Sequence, residues 1–223
     1  NNDFKLDNRI FGNINPNEII NFHTIKRGIK NYLCILNSDG RFKKVLFDED
    51  MIKSNRSFSI TKLKNDVRTI DSLISNEEED LVILTSIGRI FKFKLSNKYL
   101  APTTKQSQGV VLAKLLPAEK IVSFCSSQDG ENIYLISKKG KVFCVTNNEI
   151  YYANEYNLGY LNERTQLKND YFIKILPSKY YLDLETNKNK SARLNFEKIN
   201  FKFNKTTLLS EILKLEKDEY IEN

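Results

Sequence analysis

A pattern of two short apolar runs separated by a polar turn occurs three times along the chain. The three segments are YLCILNSDGRFKKVLFDEDM (32–51), DLVILTSIGRIFKFKLSNKY (80–99) and NIYLISKKGKVFCVTNNEIY (132–151). They align without gaps, and their glycines, Gly40, Gly88 and Gly140, lie about 50 residues apart. A fourth, degenerate copy is predicted at 191–209, with Lys198 at the glycine position. The sequence therefore predicts an array of repeats.

Each segment predicts a β-hairpin. The run 81–84 is short, apolar and β-branched, which is typical of a strand buried on both faces. The glycine supplies the positive φ that a tight turn requires. In the second run, Phe91 and Phe93 alternate with Lys92 and Lys94, which is the period of a strand and not of a helix.

Further strand-like segments lie between the hairpins. They are 57–63, 109–116 and 171–177, together with the apolar stretches 69–74 and 121–127 that lead into the next hairpin. Four short strands per repeat are typical of a propeller-like array with one blade per repeat. The sequence therefore predicts an all-β fold of four or five four-stranded blades, with the N-terminal segment 11–25 completing the first blade.

The C-terminal end has a different pattern. From Thr206 onward, leucine and isoleucine recur at near-helical spacing and acidic residues outnumber lysines. We predict a β domain over 1–205 and a short helix with an acidic tail over 206–223, preceded by an exposed loop at 179–190.

Composition excludes several classes of protein. Hydrophobic residues make up 40% and charged residues 28%, so the chain can form a packed core. No apolar run approaches the roughly 20 residues of a membrane span, and the N-terminus lacks a secretory pattern. Three cysteines without CxxC spacing do not indicate a disulfide framework or a zinc site. We expect a reducing, cytosolic setting and, because the only methionine is Met51, a piece of a longer protein.

The net charge is +7, and 27 of the 35 basic residues are lysines. Two explanations stay open: a lysine-rich proteome from an AT-rich genome, or an anionic partner. Placement favours the partner, because a base follows the turn glycine in each clear repeat, at Arg41, Arg89 and Lys141. Equivalent positions of a radial array share one rim, and a curved row of cations binds phosphates regardless of base sequence. Acidic residues cluster elsewhere, at 48–50 and 77–80, and are predicted to be solvated loop charges.

No catalytic arrangement emerges from the sequence. His23 is the single histidine, and Cys34 and Cys144 fall within strand patterns, where buried inert thiols are the rule. The phosphate-loop, dinucleotide-binding and nucleophile-elbow motifs are absent from the sequence. We predict no catalytic residue, no metal ligand and no cofactor for this chain.

Residues 81–124 resemble one blade of the C-terminal domain of the DNA gyrase A subunit, and of its topoisomerase IV relative. The matching elements follow the family's order: Ile83-Leu84-Thr85, Gly88-Arg89, Gly109-Val110-Val111, Leu115-Leu116 and Glu119-Lys120-Ile121. The segments 132–145 and 32–45 match the same blade more weakly, so the resemblance covers about 30–176.

The resemblance implies a β-pinwheel, in which neighbouring blades exchange strands, and which binds and bends duplex DNA around a basic edge. It implies a parent ATP-dependent type II topoisomerase that uses ATP and magnesium, with this chain as a non-catalytic part. The implied partners are duplex DNA, the parent protein's cleavage core and the ATPase B subunit, with no membrane, in the bacterial cytoplasm with the chromosome or in an organelle. The predicted DNA-binding side chains are Arg41, Lys43, Lys44, Arg89, Lys92, Lys94, Lys105, Lys138, Lys139 and Lys141.

One motif of gyrase proper, a Q-R-R-G-G-R-G-type box tied to chiral wrapping, is missing from this sequence. The nearest loop, 103–109, keeps the final glycine and one base, so a gyrase type and a topoisomerase IV type both stay open. Two other functions are also considered: a propeller-like protein-interaction scaffold that does not bind DNA, and an enzyme with a site in a central channel. A further hypothesis is that the acidic C-terminal segment competes with DNA for the basic rim, and its alternative is a helix that caps the last blade.

Overall fold

The structure is a computed structural model that describes residues 21, 23, 28–47, 59–153, 159–161, 165–199, 206–208, 215–216 and 218–222. Within these residues the strands are β1 (Asn31–Asn37), β2 (Arg41–Phe47), β3 (Thr69–Ser75), β4 (Asp80–Thr85), β5 (Arg89–Lys94), β6 (Val110–Val111), β7 (Ile121–Ser127), β8 (Asn132–Ser137), β9 (Lys141–Thr146), β10 (Tyr160–Leu161), β11 (Phe172–Pro177), β12 (Tyr181–Glu185), β13 (Ser191–Asn195) and β14 (Thr206–Leu208). Short 3₁₀ turns at Asn147–Glu149 and Phe196–Lys198 follow β9 and β13. No helix in the described part of the chain has the length and apolar character to cross a membrane.

The strands form four repeated modules, each built on a hairpin. Module 1 contains the hairpin β1–β2 and strand β3, module 2 contains β4–β5 and β7, and module 3 contains β8–β9 and β11. Module 4 contains the hairpin β12–β13. All of these pairings are antiparallel, so the predicted all-β fold is confirmed.

A fourth strand reaches each of the first three sheets from further along the chain. Strand β6 follows the hairpin of module 2 but pairs with β2 of module 1, where Arg41 lies opposite Val111. In the same way β10 pairs with β5, and β14 pairs with β9. The pinwheel-type exchange of strands between neighbouring modules is therefore present.

The core is divided among the interfaces between consecutive modules. Strand β4 contributes Leu81 and Ile83 to the cluster shared with module 1, and Val82 and Leu84 to the cluster shared with module 3. All four side chains are fully buried. Burying a large aliphatic side chain contributes about 1.5–3 kcal/mol, so both faces of β4 stabilise the array. This two-sided burial is the reason for the unbroken apolar run.

The turns of the four hairpins share one left-handed residue. Gly40, Gly88 and Gly140 have φ of +81°, +92° and +81°, and Asn189 has φ of +58° at the same place in module 4. Asparagine tolerates this region better than most residues with a side chain. The prediction of a fourth turn at Lys198 is therefore wrong, and 179–190, predicted as a loop, contains β12 and the whole of the true turn.

Other segment boundaries also differ from the prediction. Of 57–63, the described residues 59–63 form no strand, and in 109–116 only Val110–Val111 is a strand. Strand β11 is the counterpart of β3 and β7. It is not the counterpart of 57–63 and 109–116, the segments with which the sequence pattern grouped it. Thr206–Leu208, where the C-terminal helix was predicted to begin, is strand β14. The rest of that prediction at 209–214, and nearly all of 11–25, lie outside the described residues.

The C-terminal residues complete module 4. Ile221 forms a bridge with Thr186, and the Glu222 N–H donates to the Glu185 carbonyl at 2.9 Å. Ile221 is fully buried in the cluster shared by modules 3 and 4. The segment 218–222 therefore takes the position that β3, β7 and β11 occupy in the other modules.

Candidate nucleic-acid interface at the hairpin turns

Backbone hydrogen bonds connect the turns of modules 2, 3 and 4. The Phe172 N–H donates to the Ser86 carbonyl in the turn of module 2 at 3.0 Å, and the adjacent Tyr171 carbonyl accepts from the Lys138 N–H at 2.9 Å. The Lys138 carbonyl, in the turn of module 3, accepts from the Ile221 N–H of module 4 at 3.1 Å. These three turns are therefore neighbours.

The segment 112–114 makes the same connection between modules 1 and 2. The Leu112 and Ala113 N–H groups donate to the Gly40 carbonyl at 3.0 and 3.4 Å. Arg89, just after the turn of module 2, donates from Nη2 to the Lys114 carbonyl at 2.7 Å. All four turns consequently follow one edge of the molecule, which we call the turn edge.

Solvent-accessible bases lie along modules 1 to 3 of the turn edge. Some are in the turns or directly after them, and others are in segments bonded to the turns. They are Arg41, Arg68, Lys114, Lys120, Lys138, Lys139, Lys141 and Lys168, all exposed or half-buried. Aspartates are present there too: Asp39 pairs with Arg41 at 3.3 Å, and Asp170 accepts the Lys139 N–H at 3.1 Å. Bases still outnumber acids along these three modules.

The opposite edge, where the hairpin strands begin and end away from the turns, has a more acidic character. Its carboxylates among the described residues are Glu77, Glu78, Glu79, Asp80, Asp129, Glu131 and Glu149. Two of them are not the solvated loop charges that the sequence predicted, because Glu79 and Asp80 are only 7% and 1% exposed. Lys179 pairs with Glu79 at 3.1 Å.

Lys43 and Lys44 of β2 are buried, and Lys43 holds the loop of module 2 that leads into the exchanged strand β6. Lys43 is fully buried, and its Nζ donates to the carbonyls of Lys105 at 2.5 Å and Ser107 at 2.8 Å, and also to that of Ile60. Burial lowers the pKa of Lys43, whereas three carbonyl oxygens favour its charged form. Loop 103–109, which takes the place of the missing basic box, is therefore held in position by the buried Lys43 side chain.

The basic neighbours of Lys43 also contact module 2. Lys44 is 2% exposed, donates to the Leu95 carbonyl and lies 4.5 Å from the centre of the Tyr32 ring. Arg41 donates from Nη1 to the Gly109 carbonyl at 3.3 Å but remains half-buried at the surface.

Two lysines of β5 form a buried network with module 3. Lys92 is 3% exposed, donates to Asn147 Oδ1 at 2.5 Å and lies 3.5 Å from Asp80. Lys94 pairs with the same carboxylate at 3.0 Å, and the Tyr152 hydroxyl also donates to it. The hydrogen bond with Tyr152 and the charge of Asp80 raise the pKa of Lys94. The face of β5 that carries these lysines is thus covered by module 3.

Arg89 is held by a buried carboxylate. Its Nε donates to Glu119 Oε1 at 2.8 Å, Nη2 bonds the other oxygen, and the side chains are 6% and 1% exposed. Glu119 also accepts from the Leu116 N–H at 2.8 Å. Burial alone would raise the pKa of Glu119, but the hydrogen bonds from Arg89, Leu116 and Thr85 hold it below its usual value.

Module 4 contains the same arrangement, supplied by the acidic C-terminal segment. Glu219 accepts from Lys190 at 2.8 Å, from the Thr186 hydroxyl at 2.6 Å and from the Glu216 N–H at 2.9 Å. Glu216 in turn pairs with Lys188 at 2.6 Å. The acidic segment therefore neutralises lysines of its own module in this structure.

The ten predicted residues thus divide into two groups. Those that lie buried against protein partners are Lys43, Lys44, Arg89 and Lys92, while Lys94 is ion-paired and partly exposed. Those that reach the surface are Arg41, Lys105, Lys138, Lys139 and Lys141. Their contact with DNA stays a prediction.

Sequence reasoning missed Arg68 and Lys120, although a signal for them exists. Each is followed directly by the first residue of β3 or β7, and its carbonyl accepts from the N–H of Ser38 or Ser86 in the turn. Lys120 is the middle residue of Glu119-Lys120-Ile121, whereas the equivalent Val67-Arg68-Thr69 keeps neither the acid nor the isoleucine, so the signal for Arg68 is only a base directly before an apolar strand pattern.

A cavity of about 890 Å³ lies between modules 1 and 2, with mostly apolar walls that include Phe42, Phe93 and Val111. Its titratable groups include Lys44 and Lys94, which are engaged as described. Within the described residues no group of three His, Cys, Asp or Glu side chains could hold a metal ion. His23 Nε2 lies 2.8 Å from Ser72 Oγ, and burial lowers its pKa. These observations give the enzyme hypothesis no added support.

The strand exchange and the repeated modules define a β-pinwheel, and the comparisons agree. Among solved structures, the chain resembles the C-terminal domain of DNA topoisomerase IV (TM-score 0.64, 17% identity, 81% of this chain and 57% of that one). It also resembles the DNA gyrase A C-terminal domain (TM-score 0.59, 21%, 81% and 63%) and the E. coli ParC C-terminal domain (TM-score 0.57, 11%, 87% and 78%).

At the level of sequence, the chain is similar to the DNA gyrase A subunit of Metamycoplasma arthritidis (strain 158L3-1). The two are 28% identical over 109 residues, which are 48% of this chain and 12% of that protein. No protein-family model matches the chain. The resemblance predicted from the sequence, to the C-terminal domains of gyrase and topoisomerase IV A subunits, is confirmed by the curated relative and by these structural neighbours.

Proposed function

We propose that this chain is the duplex-DNA-binding and DNA-bending domain of a type II topoisomerase A subunit. The observation that supports it best is the row of accessible bases along an edge formed by four consecutive turns. Phosphate attraction needs cations at spaced positions and no base-specific contacts. A rigid edge of repeated modules offers such spacing.

Bending is part of the proposal because the cations lie on successive modules. Smooth bending of a site of 20–30 base pairs costs on the order of 1–6 kcal/mol, which several phosphate contacts must offset. We place strand cleavage, ATP hydrolysis and the magnesium ions they use in other parts of the parent protein. The proposed partners there, in the cytoplasm, are the cleavage core and the ATPase subunit.

The experiment measures binding of a fluorescent duplex by anisotropy at several salt concentrations. A triple variant of the turn edge, Lys138→Gln, Lys139→Gln and Lys141→Gln, is compared with a triple variant of the opposite edge. The matched control is Lys30→Gln, Lys98→Gln and Lys198→Gln, which removes the same charge from exposed positions. Bending is followed in parallel by energy transfer between dyes on the two duplex ends.

We expect binding to weaken with salt and to be independent of sequence. The turn-edge triple should reduce the slope of log K against log salt by up to about 2.7, whereas the control should leave it unchanged. If the unmodified domain fails to bind duplex DNA at low salt, the proposal is wrong and the interaction scaffold is favoured. Equal losses in both triples would remove the turn edge from the site.

A further inference from the structure

The base directly after the turn does not have the same electrostatic partner in every module. In modules 2 and 4 the partner is the glutamate two residues before Ile121 or Ile221, as described for Glu119 and Glu219. Both glutamates also accept a backbone N–H three residues earlier. Both are buried, with side chains 1% and 0% exposed. We call this arrangement the glutamate clasp.

Modules 1 and 3 lack the clasp because neither has a glutamate at the equivalent position. The equivalent of Glu119 in module 1 is Val67, which has no carboxylate. In module 3 it is Asp170, whose shorter side chain accepts the N–H groups of Lys139 at 3.1 Å and Tyr171 at 2.9 Å. In this structure the Lys141 ammonium instead lies 4.8 Å from the centre of the Phe143 ring.

In module 1 the post-turn base forms only a weak ion pair. Arg41 pairs with Asp39 at 3.3 Å, and both side chains are about a quarter exposed, at 27% and 26%. A solvent-exposed pair contributes little and is screened by salt. A phosphate can therefore replace Asp39 at low cost, whereas separating a base from a buried carboxylate leaves that carboxylate uncompensated.

We propose that the glutamate clasp selects which modules present their post-turn base to DNA: Arg41 and Lys141 contact phosphates, while Arg89 and Lys190 are withheld. This inference rests on the proposed function. Its consequence is a discontinuous set of contacts along the turn edge, with modules 1 and 3 supplying the post-turn cation. In module 2 the neighbouring Lys120 faces solvent in its place.

Module 4 gives the sharpest test, because Lys190 is 45% exposed and Glu219→Gln keeps an acceptor for Thr186 and Glu216. Salt-dependent duplex binding is measured for Lys141→Gln, Lys190→Gln and Glu219→Gln against the unmodified domain. Circular dichroism and thermal unfolding confirm that each variant is folded at the assay temperature.

Lys141→Gln should lower the salt slope by about 0.9, and Lys190→Gln should leave it unchanged. Glu219→Gln should release Lys190, raise the slope by about 0.9 and tighten binding on the order of eightfold at 0.1 M salt. The double variant Lys190→Gln with Glu219→Gln should return to the slope of the unmodified domain.

The outcomes separate this inference from the proposed function. If the unmodified domain binds DNA and Lys190→Gln loses as much slope as Lys141→Gln, the clasp does not withhold its base and the inference is wrong. An unchanged slope in Glu219→Gln overturns it as well. Absence of binding by the unmodified domain overturns the proposed function, and the clasp loses its role with it.

Discussion

The strands that follow turns 1 and 2 use their basic residues differently from the turns of modules 3 and 4. In modules 1 and 2, Lys43, Lys44, Arg89 and Lys92 are at most 5% exposed and donate to carbonyls or carboxylates of the protein. In modules 3 and 4 the bases around the turns are half-buried or exposed, including Lys190, which pairs with the buried carboxylate of Glu219. The four buried bases are therefore structural cations, whereas the bases around turns 3 and 4 reach solvent.

The difference follows from what each strand packs against. Loop 103–109 of module 2 brings backbone carbonyls next to Lys43 of β2. Carbonyls that are removed from water need hydrogen-bond donors. A lysine can supply them only if its ammonium is desolvated, which is costly unless every donor finds an acceptor. The buried cations of β2 and β5 are thus retained for stability, and Arg41 and the cations near turn 3 are available for a ligand.

The largest expected effect is at Lys43. Lys43→Met keeps the length and apolar stem of the side chain but leaves the Lys105, Ser107 and Ile60 carbonyls without their donor. Hydrogen bonds from a charged donor contribute about 1.5–3 kcal/mol each, so we expect the loss of three to lower the free energy of unfolding by about 4 kcal/mol. Urea unfolding followed by circular dichroism measures it.

The matched control is Lys139→Met, an exposed lysine in the turn of module 3. It should change the free energy of unfolding by no more than about 0.5 kcal/mol. Similar losses at both positions would contradict the division of the molecule into inward and outward cations.

The second prediction tests how closely segment 112–114 approaches turn 1. A Cβ at Gly40 would lie 2.2 Å from the Ala113 carbonyl oxygen, whereas at Gly130, with a similar φ of +75°, no atom lies within 4 Å. Gly130→Ala should cost about 1 kcal/mol for the left-handed backbone alone. Gly40→Ala should cost about 1–3 kcal/mol more, because the segment must shift.

Thermal unfolding of the two alanine variants makes this comparison directly. Equal melting temperatures would show that segment 112–114 is not held against turn 1 as tightly as the structure indicates.

Local features of the sequence were enough to predict the hairpins. The turn glycines, the apolar run of β4 and the alternation in β5 each depend on neighbours along the chain. The fourth turn was not predicted because Asn189 takes the place of glycine. The strand predicted at 109–116 is too long, because only Val110–Val111 pair with β2.

The candidate site was predicted less completely, because burial of a base depends on distant partners. Lys43 meets Ser107, 64 residues away, and Lys92 meets Asn147, 55 residues away. The stretch 85–118 contains no acid, but Glu119 follows it directly and takes the charge of Arg89. A count of bases along the strands therefore overestimates the accessible cations in modules 1 and 2.

The third prediction concerns pH and module 4. The hydrogen bond from Lys190, followed by those from Thr186 and the Glu216 N–H, lowers the pKa of Glu219 from 4.5 to about 2. Since the folded value lies below the unfolded one, this group stabilises the fold above pH 4.5, and that contribution disappears as the pH falls towards 2. Urea unfolding at pH 5 and pH 3 should show a smaller acid loss in Glu219→Gln than in the unmodified domain. An identical loss in both would contradict the clasp in module 4.

The smallest effect is expected at an ion pair with ideal geometry and full access to solvent. Arg193 donates to both oxygens of Asp183 at 2.6 and 2.8 Å, yet the two side chains are 70% and 66% exposed. Water and salt compete for such groups, so Arg193→Gln should leave the urea midpoint unchanged. Arg89→Gln removes a similar two-pronged contact from a buried carboxylate and should lower the midpoint clearly. If the exposed pair proved as costly to remove as the buried one, burial would not be what separates structural cations from accessible ones.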